Sequence, residues 1–431
     1  MIFLFNINDI YNVVGGTIYN YTNIKIDNIS IDSKNIDSNA LFIPIIGLKH
    51  NGNDFILEAI KNGSKATLMS NNYKYKNKII KYCKKNNIIL IIVNNTLNSL
   101  HKLAKYNRDK NKLTKVIAIT GSNGKTTTKE LLYNILKNDY KVLKTEGNLN
   151  NHIGLPLTLL KLNNHDICIL ELGMNHLKEI SKLSKICSPD IAIITNIGSA
   201  HIGNLGSITN ILKAKLEIID GFKDNSVLIL NNNDNLLKEY KNNKIKIMNY
   251  YSSTYKIGEY YKLNIELCSL IAKMFNIDNY MDYIANFKGI KMRNEIISIN
   301  NRLIINDCYN ANYESIYNGI INLVNNYKDN HKILVIGEIK ELGSYSKYYH
   351  NLIGQLINSI NIDILYVIGN DTKYIVDEIK NKFILIKNYS NIDEIVNDFM
   401  LYDDTVIYFK GSRSNKLEII VNELIDKINI S

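Results

Sequence analysis

Apolar positions along the chain fall into short runs between polar turns, and the spacing of those runs changes from region to region. In the first hundred residues Ile24–Ile31 alternates apolar and polar side chains, as a half-buried strand does. Leu41–Ile46 predicts a further strand, the turn-rich Gly47–Asp54 follows, Phe55–Lys61 reads as helix and Ala66–Met69 as strand. Ile88–Val93 is a β-branched run that predicts another strand, and Leu97–Tyr106 predicts a helix. The charged stretch Asn107–Lys115 marks a boundary after this small α/β unit.

From Val116 the rhythm becomes strand, glycine turn, helix. Val116–Thr120, Ile167–Leu172, Ile191–Asn196 and Val227–Asn231 predict strands, while Thr126–Leu136, Glu179–Ile186, Ile211–Ile219 and Leu263–Phe275 predict helices. A second alternation begins near Ile296. Its predicted strands are Arg302–Asp307, Ile333–Gly337, Ile364–Gly369, Lys382–Ile386 and Thr405–Lys410, and its helices Ser315–Tyr327, Tyr349–Ile360, Thr372–Ile379 and Lys416–Ile428. Strands alternating with helices imply mostly parallel sheets covered on both faces, so the fold class is α/β. A length of 431 residues suits roughly three domains, with divisions at 1–110, 111–295 and 296–431.

Composition changes this picture in two ways. Tyr is abundant at 29 residues, Pro scarce at 3 and Trp absent, a skew that runs through strands and loops alike and reads as substitution bias. Asn clusters therefore carry less weight here than elsewhere. The net charge of +11 is spread among Asp and Glu, and runs such as Lys74–Lys78 lack the aromatic interleaving of a nucleic-acid face. A solvated lysine-rich face and an anionic small substrate are expected, with no nucleic acid. The five cysteines show no CxxC pair, which excludes a zinc framework and points to reduced thiols. No signal-like N-terminus or membrane-length apolar run occurs, so a cytoplasmic location without membrane insertion is expected.

The sharpest chemical signal is Thr120 to Thr128, where a strand runs through Gly121-Ser122-Asn123-Gly124 into Lys125-Thr126-Thr127. That geometry aims backbone N–H groups and a helix N-terminus at phosphate. Lys125 adds a point charge for the terminal phosphates and Thr126 a hydroxyl for Mg²⁺. Ile119 stands where the longer loop has its first glycine, so this is a shortened G-x-x-G-K-T form. Glu171 ends a neighbouring strand and can complete a magnesium shell with Thr126. His201 follows another strand end, where a metal, a phosphate or a loop hydrogen bond would each suit it. Such strand ends converge on one crevice in open α/β sheets. Lys213 and Lys215 read as surface residues of a helix.

The motifs TGSNGKTTTKE (120–130), TEGNLNNHIGLPLTLL (145–160), ELGMNHLKEI (171–180), TNIGSAHIGNLGS (195–207), AKLEI (214–218), DCYNANYES (307–315), VIGEIKELG (335–343) and KGSR (410–413) together resemble the Mur ligases of peptidoglycan precursor synthesis. The resemblance covers essentially the whole chain. It implies three domains: residues 1–110 for the uridine nucleotide, a P-loop ATPase domain over 111–295, and a Rossmann-like domain over 296–431 for an incoming dipeptide. The implied reaction is ATP-dependent joining of D-alanyl-D-alanine to UDP-N-acetylmuramoyl-tripeptide through an acyl phosphate, because Tyr309-Asn310-Ala311-Asn312 and Lys410-Gly411-Ser412-Arg413 match that branch. ATP and two Mg²⁺ ions are the implied cofactors, and a monomer is expected.

Residue by residue, the resemblance has Gly121–Thr127 and Lys125 cradle the triphosphate, with Arg293 and Asn310 also reaching the nucleotide. Thr126 and Glu171 would hold one magnesium and His201 the other, near Lys215, which is often carbamylated in this family and so leaves its surface role. Asn148, Asn150, Asn151, Asn312, Lys410 and Arg413 would meet the peptide substrates, and Ser33 and Lys34 the uridine end. Lys34 stands in place of the usual Arg and loses its bidentate fork. Asn39 and Met292 stand where glycine is usual, and Asn53 where His is; Asn39 is expected to keep its turn through φ > 0.

Overall fold

The computed structural model describes residues 5–256, 259–388 and 392–430. Among these, the N-terminal part forms a five-stranded sheet in the order Thr17–Tyr19, Ile89–Val93, Ala66–Ser70, Ala40–Phe42, Asn28–Ser30, parallel except for its first pair. The central part forms a six-stranded parallel sheet ordered Lys246–Tyr250, Val227–Asn231, Ile191–Ile194, Lys115–Thr120, Ile167–Glu171, Val142–Lys144. The third part is a six-stranded sheet ordered Glu295–Ile299, Arg302–Asp307, Thr405–Lys410, His331–Gly337, Ile364–Ile368, Leu385–Asn388, again parallel apart from its first pair.

The inner strands are continuous apolar runs because helices cover both faces of each sheet. Ile117, Ile119, Ile169 and Ile193 pack under the helices Lys125–Leu136 and Tyr260–Met274, while Val116, Ala118, Leu170 and Ala192 face the other way. The strand Lys115–Thr120 lies between Ile191–Ile194 and Ile167–Glu171, with Thr120 opposite Ile194 and Glu171 opposite Ile119. Chain connections leave this strand toward both sides of the sheet. Its carboxyl end is therefore a switch point, where ligands of open α/β sheets bind.

The predicted strands at Arg302–Asp307, Val227–Asn231 and Thr405–Lys410 appear with those limits. In the three larger sheets four strands carried no clear signal: Thr17–Tyr19, Val142–Lys144, Lys246–Tyr250 and Glu295–Ile299. All four are edge strands, which keep polar and charged side chains that guard an open edge and blur the apolar pattern. The lysine-rich stretch 76–85 is a helix that buries only Ile79 and Cys83 and leaves Lys78, Lys84 and Lys85 exposed.

The charged stretch Asn107–Lys115 spans the end of the helix Thr96–Lys110 and the turn before the central strand, and the helix end is packed against the central part. Asn107 donates to the carbonyls of Leu159 and Leu162. Arg108 is only 2% exposed. Its guanidinium reaches the carbonyls of Cys187 and Asn111 and lies 2.9 Å from Asp190, which also accepts from the Val116 N–H at the base of the central strand. Without the guanidinium Asp190 would keep Lys223 at 3.2 Å, but the carbonyls of Cys187 and Asn111 would lose this donor. Arg108→Ala is expected to cost about 2 kcal/mol of stability, seen as a lower urea midpoint; an unchanged midpoint would show this strut to be dispensable.

Candidate functional site

The strand Lys115–Thr120 leads into the phosphate loop, and the helix Lys125–Leu136 starts directly after Gly124 in a left-handed conformation (φ +81°). Gly121 (φ +150°) leaves no room for a Cβ, which would collide with the Thr195 hydroxyl. The loop is braced by the next strand end. The Asn123 N–H donates to Asn196 Oδ1 (2.8 Å), Thr195 and Asn196 both donate to the Asn123 carbonyl, and Ser122 Oγ exchanges hydrogen bonds with Gly198. The first-turn N–H groups, without helical acceptors, therefore stand at the cavity wall formed by Ser122–Thr126. Lys125 Nζ donates to the carbonyl of Gly121 at 2.7 Å. Burial pushes its amine below the ordinary lysine range, Glu171 pulls it back up, and the charge of Arg293 pushes it further down.

Glu171 is 3% exposed at the tip of its strand. Thr126 Oγ1 donates to one carboxylate oxygen and Asn150 Nδ2 to the other, each at 2.9 Å. Among the described residues no cationic side chain pairs with it within 4 Å. A buried carboxylate answered only by neutral donors, beside a threonine hydroxyl, is a hard-oxygen set that suits Mg²⁺. No cluster of three or more His, Cys, Asp or Glu occurs among the described residues, so the set relies on hydroxyl and phosphate oxygens to complete a shell.

The third part closes the other side of a cavity of about 610 Å³. Arg293 donates to Thr126 Oγ1 at 2.9 Å and its guanidinium stacks 4.1 Å from the Tyr309 ring centre. Asn312 caps the helix Tyr313–Asn326 with Ser315 in a reciprocal box and donates to Asn123 Oδ1 at 3.0 Å. Glu314 accepts from the N–H and hydroxyl of Ser199, both at 2.8 Å, and burial raises its carboxyl above the usual range. His201 (φ +66°) brings Nδ1 within 2.7 Å of Glu341 Oε2, out of line for a hydrogen bond. That imidazole holds the Glu341 carboxyl below its ordinary value.

The structure brings Ser122, Asn123, Gly124, Lys125, Thr126, Asn150, Asn151, Glu171, His201, Arg293, Asn310, Asn312 and Lys410 to this one cavity. Lys410 arrives already paired with Asp307 at 2.6 Å. Gly121, Thr127, Asn148, Ser33, Lys34 and Arg413 do not line it. Asn148 is exposed in its loop, and Ser33 donates to Glu58 in the N-terminal sheet region beside exposed Lys34. Arg413 lies in the short 3₁₀ segment after its strand, where its guanidinium pairs with Glu418 at 3.2 Å and reaches Met292 Sδ at 3.4 Å. Lys215 corrects the surface expectation drawn from its helix. It is 2% exposed, and burial, with the Lys125 charge next, drives its amine well below the lysine range. Glu314, Glu341 and Tyr309 were not singled out by sequence, although each lies in a quoted motif; their contacts cross between parts of the chain, and no local spacing encodes that.

Fold and site together define a P-loop ligase with a substrate cavity between sheets, and the chain belongs to the Mur ligase family. Residues 25–107 match the Mur ligase family catalytic domain, 119–285 the Mur ligase middle domain, and 292–413 the Mur ligase glutamate ligase domain. Similar curated relatives are the UDP-N-acetylmuramoyl-tripeptide–D-alanyl-D-alanine ligases of Buchnera aphidicola (subspecies Baizongia pistaciae; 35% identical) and Bacillus subtilis (33% identical), each match covering 97% of this chain and 98% of the relative. Among solved structures, MurF from Acinetobacter baumannii superposes with a TM-score of 0.88 at 25% identity over 99% of both chains. MurF ligase from Thermotoga maritima in complex with ADP gives 0.81 at 26% identity, over 93% of this chain and 98% of that one. No helix of the described residues is long and apolar enough to cross a membrane.

A buried lysine charge opposes folding, since the unfolded chain binds the proton more readily. Lys215→Met in carbonate-free buffer is therefore expected to raise the melting temperature by about 2 °C or more at neutral pH, with the gain growing as pH falls and vanishing as pH rises toward the unfolded lysine range. A lower melting temperature for the variant throughout would overturn the neutral, buried reading of this amine.

Proposed function

We propose that this chain uses ATP to join D-alanyl-D-alanine to UDP-N-acetylmuramoyl-tripeptide, making the pentapeptide precursor of peptidoglycan. The observation that carries the reading is the single cavity where the phosphate loop, the lone buried Glu171 and the Asn310–Asn312 and Lys410 loops face one another. The names of relatives matched over nearly the whole chain give the same reaction. The ADP bound to a structural neighbour supports nucleotide at the phosphate loop.

The tripeptide's terminal carboxylate attacks the γ-phosphorus, ADP leaves, and an acyl phosphate forms. The dipeptide amine then attacks the acyl carbon and phosphate departs. Lys125 and the loop N–H groups stabilise charge that moves onto phosphoryl oxygens. Thr126 and Glu171 would hold one magnesium and His201 a second; bound there, magnesium would offset phosphate charge. Asn150 ties the 145–156 loop to Glu171, so the acyl substrate's loop and the metal-binding carboxylate are set by one hydrogen bond. Arg293 and Tyr309 cover the phosphate side and, with Asn312, help keep water from the acyl phosphate. The depressed Lys215 amine is a nucleophile suited to carbamylation by CO₂, which would turn it into a further carboxylate near Lys125. Five free, buried thiols fit a cytoplasmic enzyme, acting as a monomer.

Phosphate release with UDP-muramoyl tripeptide and ATP should rise at least about 100-fold with D-alanyl-D-alanine over single amino acids, in line with discrimination by a polar site. Turnover indifferent to the dipeptide would sink the acceptor assignment. Lys125→Ala should keep its circular dichroism and lose about 10²–10³-fold in turnover; a folded variant with intact turnover would remove the phosphate-loop assignment.

A further inference from the structure

Four carboxylates line the cavity. Glu171 is held on both oxygens by Thr126 and Asn150, Asp307 on both by Lys410 and the Asn294 N–H, and Glu179 on Oε2 by the N–H groups of Asn175 and His176, just before its own helix. Glu341 is instead set against a histidine from another part of the chain. Its Oε2 faces His201, its Oε1 accepts no hydrogen bond from the described residues, and its side chain is half exposed to the cavity.

The backbone that presents Glu341 is strained and pinned. Glu341 (φ +65°) and His201 (φ +66°) both occupy the left-handed region that side chains other than Gly and Asn rarely adopt, and they face each other across the cavity. Strain of this kind persists where surrounding contacts over-determine it, and it clusters at functional sites. Here Lys340 N–H donates to Ser412 Oγ, the Glu341 carbonyl accepts from Gly203 N–H at 3.0 Å, and Tyr345 OH donates to the Gly206 carbonyl. The segment therefore bridges the third sheet to the phosphate-loop sheet and fixes the carboxylate beside His201.

We propose that Glu341 binds the α-ammonium group of the incoming dipeptide and positions its nitrogen at the acyl carbon. This rests on the ligase reading above. A peptide α-amine has a pKa of about 7.7–8.0, so it arrives mostly as a cation. The cavity it enters is also lined by Lys125, Arg293 and Lys340, which repel it. A fixed carboxylate with an open oxygen supplies the missing counter-charge. Glu341 acts by charge and placement: the ammonium gives one proton to solvent before its lone pair attacks, and the second proton leaves the adduct nitrogen with the departing phosphate.

The test is steady-state kinetics of the full chain carrying Glu341→Gln or Glu341→Asp, with thermal unfolding as the folding control. Glu341→Gln should raise KM for D-alanyl-D-alanine at least about 10-fold, with KM for ATP, Mg²⁺ and the UDP-muramoyl tripeptide within about twofold, and Glu341→Asp should recover part of the loss. Hydroxylamine, an uncharged nucleophile at neutral pH, should trap the acyl phosphate as hydroxamate at the same rate in wild type and Glu341→Gln. An unchanged dipeptide KM, a matching rise in KM for ATP or Mg²⁺, or an equal fall in hydroxamate formation would each overturn the proposal. A wild-type chain that ignores the dipeptide would instead overturn the acceptor assignment, and the same variants would then be compared on the amine it accepts.

Discussion

The structure turns on one buried negative charge. Glu171 lies at the switch point of the central sheet with almost no solvent and only neutral hydrogen-bond donors. Burying a carboxylate with no ion-pair partner in contact is costly, and the Lys125 amine, which Glu171 pulls back toward the ordinary lysine range, is a nearby positive group. The parts of the site are arranged around it. The phosphate loop offers Thr126 from one side, the 145–156 loop offers Asn150 from another, and Arg293 reaches the same threonine from the start of the third part. The phosphate loop, the 145–156 loop and the third part thus meet at a point that no single loop could build.

The loop after Ile191–Ile194 is the second hub. Thr195 and Asn196 brace the phosphate loop, Gly198 and Ser199 receive Ser122 and Glu314, and His201 meets Glu341. One seven-residue segment therefore reports the placement of the third part directly to the phosphate-binding backbone. A Cβ on Gly198 would come within 2.8 Å of the Glu314 carboxyl carbon, so that side chain would have to shift from Ser199. Chemistry that needs an amine and an acyl phosphate side by side depends on such a closure.

Legibility in the sequence followed burial. Inner strands such as Val227–Asn231 and Thr405–Lys410 are apolar on both faces and were readable to the residue, whereas the edge strands Val142–Lys144 and Lys246–Tyr250 carry lysines and asparagines and were not. Asn39 takes φ +65°, as expected of a residue in a glycine's place, while Met292 takes φ +62° with a side chain that pays more for it. Lys215 shows the opposite failure. A lysine in the last turn of a helix looks solvated in any window, and only the packing of that helix against the central sheet made it a buried amine.

By itself the sequence determined the phosphate loop, the strand-end carboxylate and histidine, and the alternation that makes an α/β chain, because each depends on neighbours a few residues away. The tertiary structure alone decided that Glu171 meets no ion-pair partner among the described residues and that Glu314 and Glu341 reach the central loop. The last two contacts join segments more than a hundred residues apart, and the desolvation and pairing that give them chemical meaning exist only once the sheets have closed on one another.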